Sequence, residues 1–267
     1  MVFKPLMWLL FVINLLMCCE GFIKFVYFLS VGYGLSVLGE GIAIASIAIS
    51  DGTWSIALLI QCILCVVYGF RLSGFLIIRE MKSASYRKTL DSQTNKPMPL
   101  FVKICIWLFT AVLYVLQVSP IFYRANTVPA GRAGDACAWV GAAVMLTGII
   151  LEATADKQKS ASKKARPDMV AKDGLFRLCR CPNYFGEIIF WTGVFISGFT
   201  VLTGWQWVVA AIGYVCIVYI MFNGAQRLEK RQNKNYGDKQ EYWDYANKTP
   251  IIIPFIPLYH LVKEEKK

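Results

Sequence analysis

Seven apolar runs recur along this chain, at about 5–18, 22–49, 54–78, 100–123, 136–155, 184–201 and 205–225. A helix needs ~20 residues to cross ~30 Å of hydrocarbon, because each residue adds ~1.5 Å. In lipid such a helix satisfies its own backbone polar groups, so each run is predicted to be helical. Composition agrees. The chain is 57% hydrophobic and 17% charged, where soluble domains hold roughly 45–50% apolar and about 25% charged residues. Disordered, collagen-like and disulfide-stapled secreted chains are excluded on the same grounds. The expectation is an all-α polytopic membrane protein of about seven transmembrane helices. It forms one domain over residues 1–267, with two N-terminal helices in 1–64. The first run follows Lys4 and is short, but Cys18-Cys19-Glu20-Gly21 offers no small-residue cleavage pattern. It is therefore read as a retained helix.

Net charge is +11, and 23 of the 28 cationic residues fall in three polar segments: 79–103, 156–180 and 226–267. With seven spans these are the connections after the third, fifth and seventh, which share one side. The positive-inside rule places them in the cytoplasm and the N-terminus outside. The opposite connections, near Asp51-Gly52, Arg124–Asp135 and Gly204, are short or nearly neutral. Attraction to anionic lipid explains such loops in any polytopic protein; a cytoplasmic lid over a polyanionic cofactor is the functional alternative. Nucleic acid is not expected as a partner, since the basic runs lack interleaved aromatics. Nor is a metal expected. Most of the nine cysteines lie in apolar runs, and His260 is the only histidine.

Ionisable groups inside spans are costly and therefore candidates for function. Glu40, Arg71, Glu152 and Glu187 stand out. Tyr68 precedes Arg71 by three residues, so both project from one helix face. The most informative stretch runs from Gly174-Leu175-Phe176 through Arg180-Cys181-Pro182-Asn183-Tyr184-Phe185-Gly186-Glu187. Pro182 suits the first turn of a helix, where its missing N–H is no loss. Asn183, Glu187 and Trp191 then recur at i, i+4 and i+8. A packed core face would exclude an Asn and a Glu from one stripe. At a helix N-terminus crowded by basic residues, that stripe suits a phosphate or an amide.

Four blocks in order resemble the steroid 5-alpha-reductase family and its bacterial relatives. They are Tyr68-Gly-Phe-Arg71 continuing to Arg79; Leu151-Glu152 through Asp156 to Lys159; Gly174 through Glu187; and Glu229-Lys-Arg231, Tyr236-Gly-Asp, Tyr242 and Tyr245, ending Lys248-Thr249-Pro250 through Pro254. Together they cover roughly residues 65–255. The resemblance implies a seven-helix membrane enzyme that binds NADPH on its cytoplasmic side. Such an enzyme reduces a carbon–carbon double bond conjugated to a ketone, most typically in a 3-oxo-Δ4 steroid, to the 5α-reduced ketone. It implies catalytic roles for Tyr68 and for a glutamate on the second helix, for which Glu40 is the candidate. Cofactor contacts carried over are Arg71, Arg79, Glu152, Asp156, Arg180, Asn183, Tyr184, Glu187, Arg227, Arg231 and Tyr236. Many bacterial relatives have His where this chain has Cys181, and no role is assigned to that cysteine.

No G-x-G-x-x-G occurs, so a soluble Rossmann unit is absent; Gly131-Arg-Ala-Gly134 fails the spacing. The competing readings are an isoprenylcysteine-type methyltransferase using S-adenosylmethionine and a non-catalytic sterol-binding membrane protein. The first shares an Arg-x-Pro-x-Tyr-x-Gly pattern, but Asn183 with Glu187 and Tyr68 with Arg71 favour the reductase. The expected setting is a bacterial inner membrane or the endoplasmic reticulum. The expected partners are a flat hydrophobic enone and the bilayer, with the protein a monomer.

Overall fold

A computed structural model of the chain describes residues 5–262 apart from 83, 85–86, 88–89 and 92–97. Lys4, Lys88, Lys96 and the basic end of the chain at 263–267, all part of the sequence argument, lie outside the described residues. Among the described residues every regular element is helical. The long helices are α1 (Pro5–Met17), α2 (Val31–Ser50), α3 (Ile56–Lys82), α4 (Leu100–Ala125), α5 (Ala136–Ala165), α6 (Pro182–Ser197) and α7 (Gln206–Tyr236), followed by the short α8 (Gln240–Ala246). Short 3-10 turns occupy Cys19–Phe22, Phe25–Leu29 and Gly174–Arg177.

Each apolar run thus forms a helix, and five of them (α2, α3, α4, α5 and α7) are long and apolar enough to cross a membrane. With 13 and 16 residues, α1 and α6 are shorter than a full span. In contrast, α5 and α7 outrun their apolar stretches by about ten residues each. Their extensions are rich in Lys, Gln, Glu and Arg, all good helix formers, so the helix continues where the hydrophobic signal stops.

The chain divides into two compact units. The first holds residues 1–143 and 193–214, the second 144–192 and 215–267. In the first, α2 and α3 pack antiparallel. Ser73 Oγ donates to the Val31 carbonyl at 2.9 Å, and further along Gly41 faces the Cys62 carbonyl. Between these points a Cβ on Gly34 would stand 2.9 Å from the Gly69 carbonyl oxygen. The two backbones touch there, which only glycine permits.

Pro120 lies inside α4 and lacks the N–H that would bond the Leu116 carbonyl. Ser119 Oγ donates to that carbonyl instead, at 2.8 Å. At the end of α4 the buried Arg124 binds Asp135, the Ser197 carbonyl and Thr200 Oγ1. Asp135 also accepts from the Ala138 N–H at 3.0 Å and so caps α5. The connections 51–55 and 126–135 hold one another: the Ile56 N–H donates to the Arg132 carbonyl, and the Arg132 guanidinium lies over the Trp54 ring at 4.4 Å.

In the second unit α5 and α6 meet through glycines. A Cβ on Gly186 would come within 2.8 Å of the Glu152 nitrogen and 3.0 Å of the Gly148 oxygen. The chain beyond α8 folds back on α7, and the buried pair Arg180–Glu229 secures it. Arg180 Nη1 donates to Glu229 Oε1 (3.2 Å) and to the Tyr259 carbonyl (2.9 Å). Glu229 Oε2 accepts the Leu261 and Val262 N–H groups at 2.8 and 3.0 Å. His260, the single histidine, bridges Glu229 and Asn247.

Candidate functional site

The sequence-derived residues fall in both units. Glu40, Tyr68, Arg71 and Arg79 belong to the first; Glu152, Asp156, Arg180, Asn183, Tyr184, Glu187, Arg227, Arg231 and Tyr236 belong to the second.

In the first unit Tyr68 is fully buried on α3, directly before the Gly69 contact with α2. Its hydroxyl lies 3.3 Å from that of Tyr33, which directly precedes Gly34 on α2. The Tyr33 ring also packs against Tyr114 at 5.2 Å, and the Tyr114 hydroxyl donates to the Phe28 carbonyl at 2.6 Å. Tyr33 thus stands between Tyr68, which it meets through the hydroxyls, and Tyr114, which packs on its ring; all three are buried. Arg71 follows one helical turn later and Arg79 two turns beyond that, both half-buried.

Glu40 is also fully buried, yet its carboxyl is held by α1 rather than by Tyr68. Asn14 Nδ2 donates to Glu40 Oε1 at 2.8 Å and to the Ala111 carbonyl at 3.1 Å. Glu40 Oε2 has no hydrogen-bond partner among the described residues. Sequence reasoning missed both Tyr33 and Asn14. The available signals were Asn14 as a polar residue inside an apolar run, and Tyr33 seven residues before Glu40, hence two turns away on one face.

In the second unit α6 begins at Pro182, as its sequence predicts. Asn183 and Glu187 occupy successive turns, and the Gly148–Gly186 approach sets the start of α6 against the Glu152 segment of α5. Glu152 and Glu187 are buried, while Asn183 is half-buried. Asn183 Oδ1 is shielded from solvent and has no hydrogen-bond partner among the described residues. Asp156 and Lys159 continue one face of α5 after Glu152, at i+4 and i+7. Tyr184 packs its ring over Gly224 of α7, on which Arg227 and Arg231 stand exposed, one turn apart.

Two residues carried over as cofactor contacts have other partners. Arg180 is committed to Glu229, the Tyr259 carbonyl and, at 3.3 Å, the Tyr242 hydroxyl. Tyr236 accepts from Lys163 Nζ at 2.6 Å, and that ammonium also lies over its ring at 4.7 Å. Burial pushes the Cys179 thiol up to about 12 and the Cys181 thiol up to about 11. Both stay neutral near pH 7 and so are poor nucleophiles and metal ligands. Among the described residues no three His, Cys, Asp or Glu side chains converge as a metal site.

A nicotinamide dinucleotide offers a carboxamide and a pyrophosphate. The shielded, unsatisfied oxygen of Asn183 suits an amide N–H donor, and the exposed Arg227 and Arg231 suit phosphate oxygens. The residues present therefore fit such a group.

Comparison with known proteins finds a matching family and several relatives. A family described as a protein of unknown function (DUF1295) matches residues 30–249. The chain is 32% identical over 119 residues to the steroid 5-alpha-reductase DET2 of Arabidopsis thaliana, covering 44% of this chain and 41% of that protein. It is 26% identical over 164 residues to the 3-oxo-5-alpha-steroid 4-dehydrogenase 1 of Bos taurus, covering 61% and 58%. A DET2 protein of Gossypium hirsutum is 31% identical over 118 residues, 43% of this chain and 41% of that one. The chain thus spans about half the length of the curated relatives it matches. No solved structure gives a significant match. Most of its length being matched, the chain belongs to DUF1295, a steroid 5-alpha-reductase-like family.

Proposed function

We propose that this protein is an NADPH-dependent reductase of a flat hydrophobic enone, a 3-oxo-Δ4 steroid first among them, giving the 5α-reduced ketone. The observation that carries the reading is the buried hydroxyl of Tyr68 on a helix face shared with Arg71, in a chain similar to steroid 5-alpha-reductases. Asn183 and Glu187 would hold the carboxamide, and Arg71, Arg79, Arg227 and Arg231 the phosphates. Glu152, Asp156, Tyr184 and Tyr236 would line the remainder. Arg180 would act from behind, by fixing the segment that precedes Pro182. When bound, the dinucleotide supplies a hydride to the β-carbon of the enone.

The chain's own residues manage the charge this creates. As the β-carbon gains two electrons and a hydrogen, negative charge moves to the ketone oxygen. Tyr68 donates a hydrogen bond there, with Glu40 the second candidate from α2. In a water-poor site such a donor is worth far more than in solution. A proton taken up at the α-carbon restores the ketone, so the product carries two more hydrogens than the substrate. The basic segments would face the cytoplasm, the N-terminus would lie outside, and the protein would act as a monomer in a bacterial inner membrane or the endoplasmic reticulum.

The test is incubation of the purified protein with NADPH and a panel of enones, with products read by mass spectrometry. A product two hydrogens heavier is expected, together with NADPH consumption. Tyr68→Phe is expected to lose most turnover while still binding NADPH; unchanged turnover would overturn the role given to Tyr68.

A further inference from the structure

A phenol has one hydrogen and two lone pairs, which limits what Tyr68 can do at once. If it donates its hydrogen to a ketone oxygen, it cannot also donate to Tyr33. Their hydroxyls nevertheless lie 3.3 Å apart in the core. With substrate bound, the shared hydrogen of that contact must come from Tyr33.

We infer that Tyr33 is a positioning residue for the reaction: its hydroxyl donates to Tyr68 Oη, and so aims and strengthens the Tyr68 O–H that meets the substrate's ketone oxygen. The inference rests on the function proposed above. Hydrogen bonds in series polarise one another, so a donor that is itself an acceptor donates more strongly. The geometry keeps this arrangement in place. Tyr33 is 5% exposed and Tyr68 fully buried, so bulk solvent has little access to either side chain. The Tyr33 ring is fixed between Tyr114, tilted 38° at 5.2 Å, and Tyr68, edge-on at 6.2 Å. Tyr114 donates its hydrogen to the Phe28 carbonyl and so stabilises the enclosure from behind. Gly34 and Gly69, each next in sequence to one of the two tyrosines, bring the backbones into contact at this level. Glu40 stands differently: Asn14 bonds its Oε1 and ties it to α1. Tyr33 is thus the hydroxyl paired with Tyr68, and this pairing is separate from the role proposed for Glu40 at the ketone oxygen.

The experiment uses the full chain in lipid nanodiscs with NADPH and a 3-oxo-Δ4 steroid. A second probe is 2-naphthol, whose neutral and ionised forms absorb differently and whose oxygen imitates the charged oxygen of the reacting ketone. Tyr33→Phe is expected to lower kcat about tenfold, with the KM for enone and the Kd for NADPH within twofold. The ionised fraction of bound naphthol should fall in parallel. Placing 3-fluorotyrosine at position 33, a stronger donor of nearly the same shape, should raise that fraction, which a purely structural role would not do. It also decides the matter if Tyr33→Phe fails to fold. A kcat within twofold of the original, or a naphthol ionisation indifferent to the fluorinated residue, overturns the inference. If naphthol ionisation follows position 33 but no enone is reduced, the proposed reaction fails and the pairing stands; if reduction is robust and indifferent to position 33, the reverse holds.

Discussion

Arg180 and Glu229 meet at 3.2 Å with side chains only 1% and 0% exposed. Each also satisfies backbone groups of the returning C-terminal segment, so neither charge is left alone. Removing one partner strands the other in a site without water. Arg180→Met or Glu229→Leu alone is expected to destabilise the fold by about 3–5 kcal/mol. The double variant should cost less than the sum of the two, because it leaves no unpaired charge. Thermal unfolding of the four proteins in one detergent checks both statements.

The Gly148–Gly186 contact admits no side chain, since a Cβ on Gly186 would sit 2.8 Å from the Glu152 nitrogen. Gly186→Val is expected to force α5 from α6 at a cost of about 1–3 kcal/mol. It should also weaken NADPH binding by displacing Asn183 relative to Glu152. Titration with NADPH followed by intrinsic fluorescence reads the second effect.

Asn183 Oδ1 is the shielded acceptor that a carboxamide N–H would fill. Asn183→Leu should raise the Kd for NADPH about tenfold, the value of one such hydrogen bond, and leave enone affinity in place. Equilibrium binding of each ligand separately tests this.

Asp135 is a pH-dependent tie at the other end of the first unit. Burial opposes its ionisation, but the hydrogen bonds from Arg124, the Ala138 N–H and Thr200 outweigh that and hold its carboxyl below the usual range. A carboxyl depressed on folding contributes stability that is present above its unfolded value of 3.8 and is lost as pH falls through the folded one. The melting temperature is therefore expected to fall as pH drops below about 4, and Asp135→Asn should flatten that dependence.

What could be read in the sequence was local. The seven apolar runs, the start of α6 at Pro182 and the Asn183–Glu187 stripe all depend on spacing along one helix, and all recur in the structure. Helix ends were less legible, because α5 and α7 continue through polar, helix-favouring residues after the hydrophobic signal ends. Partnerships across helices were not legible. Tyr33 reaches Tyr68 only through the register that Gly34 and Gly69 impose on α2 and α3. Asn14 claims Glu40 from a helix read as little more than an apolar run. Arg180, a cation among cations in the sequence, is recognised as structural only when residues 259–262 return to it and to Glu229.

The close seam between α2 and α3 also bears on how the protein is assembled. Only five residues separate Ser50 from Ile56, so the two helices form a hairpin whose closure loses little chain entropy. Contacts so near in sequence are the quickest to form, and in synthesis from the N-terminus they do not wait for the helices that follow. The Tyr33–Tyr68 pair is thus set within a local, early-forming piece of the chain. The backbone register of the pair is inherited by the later bundle, whose Tyr114 then packs against the Tyr33 ring.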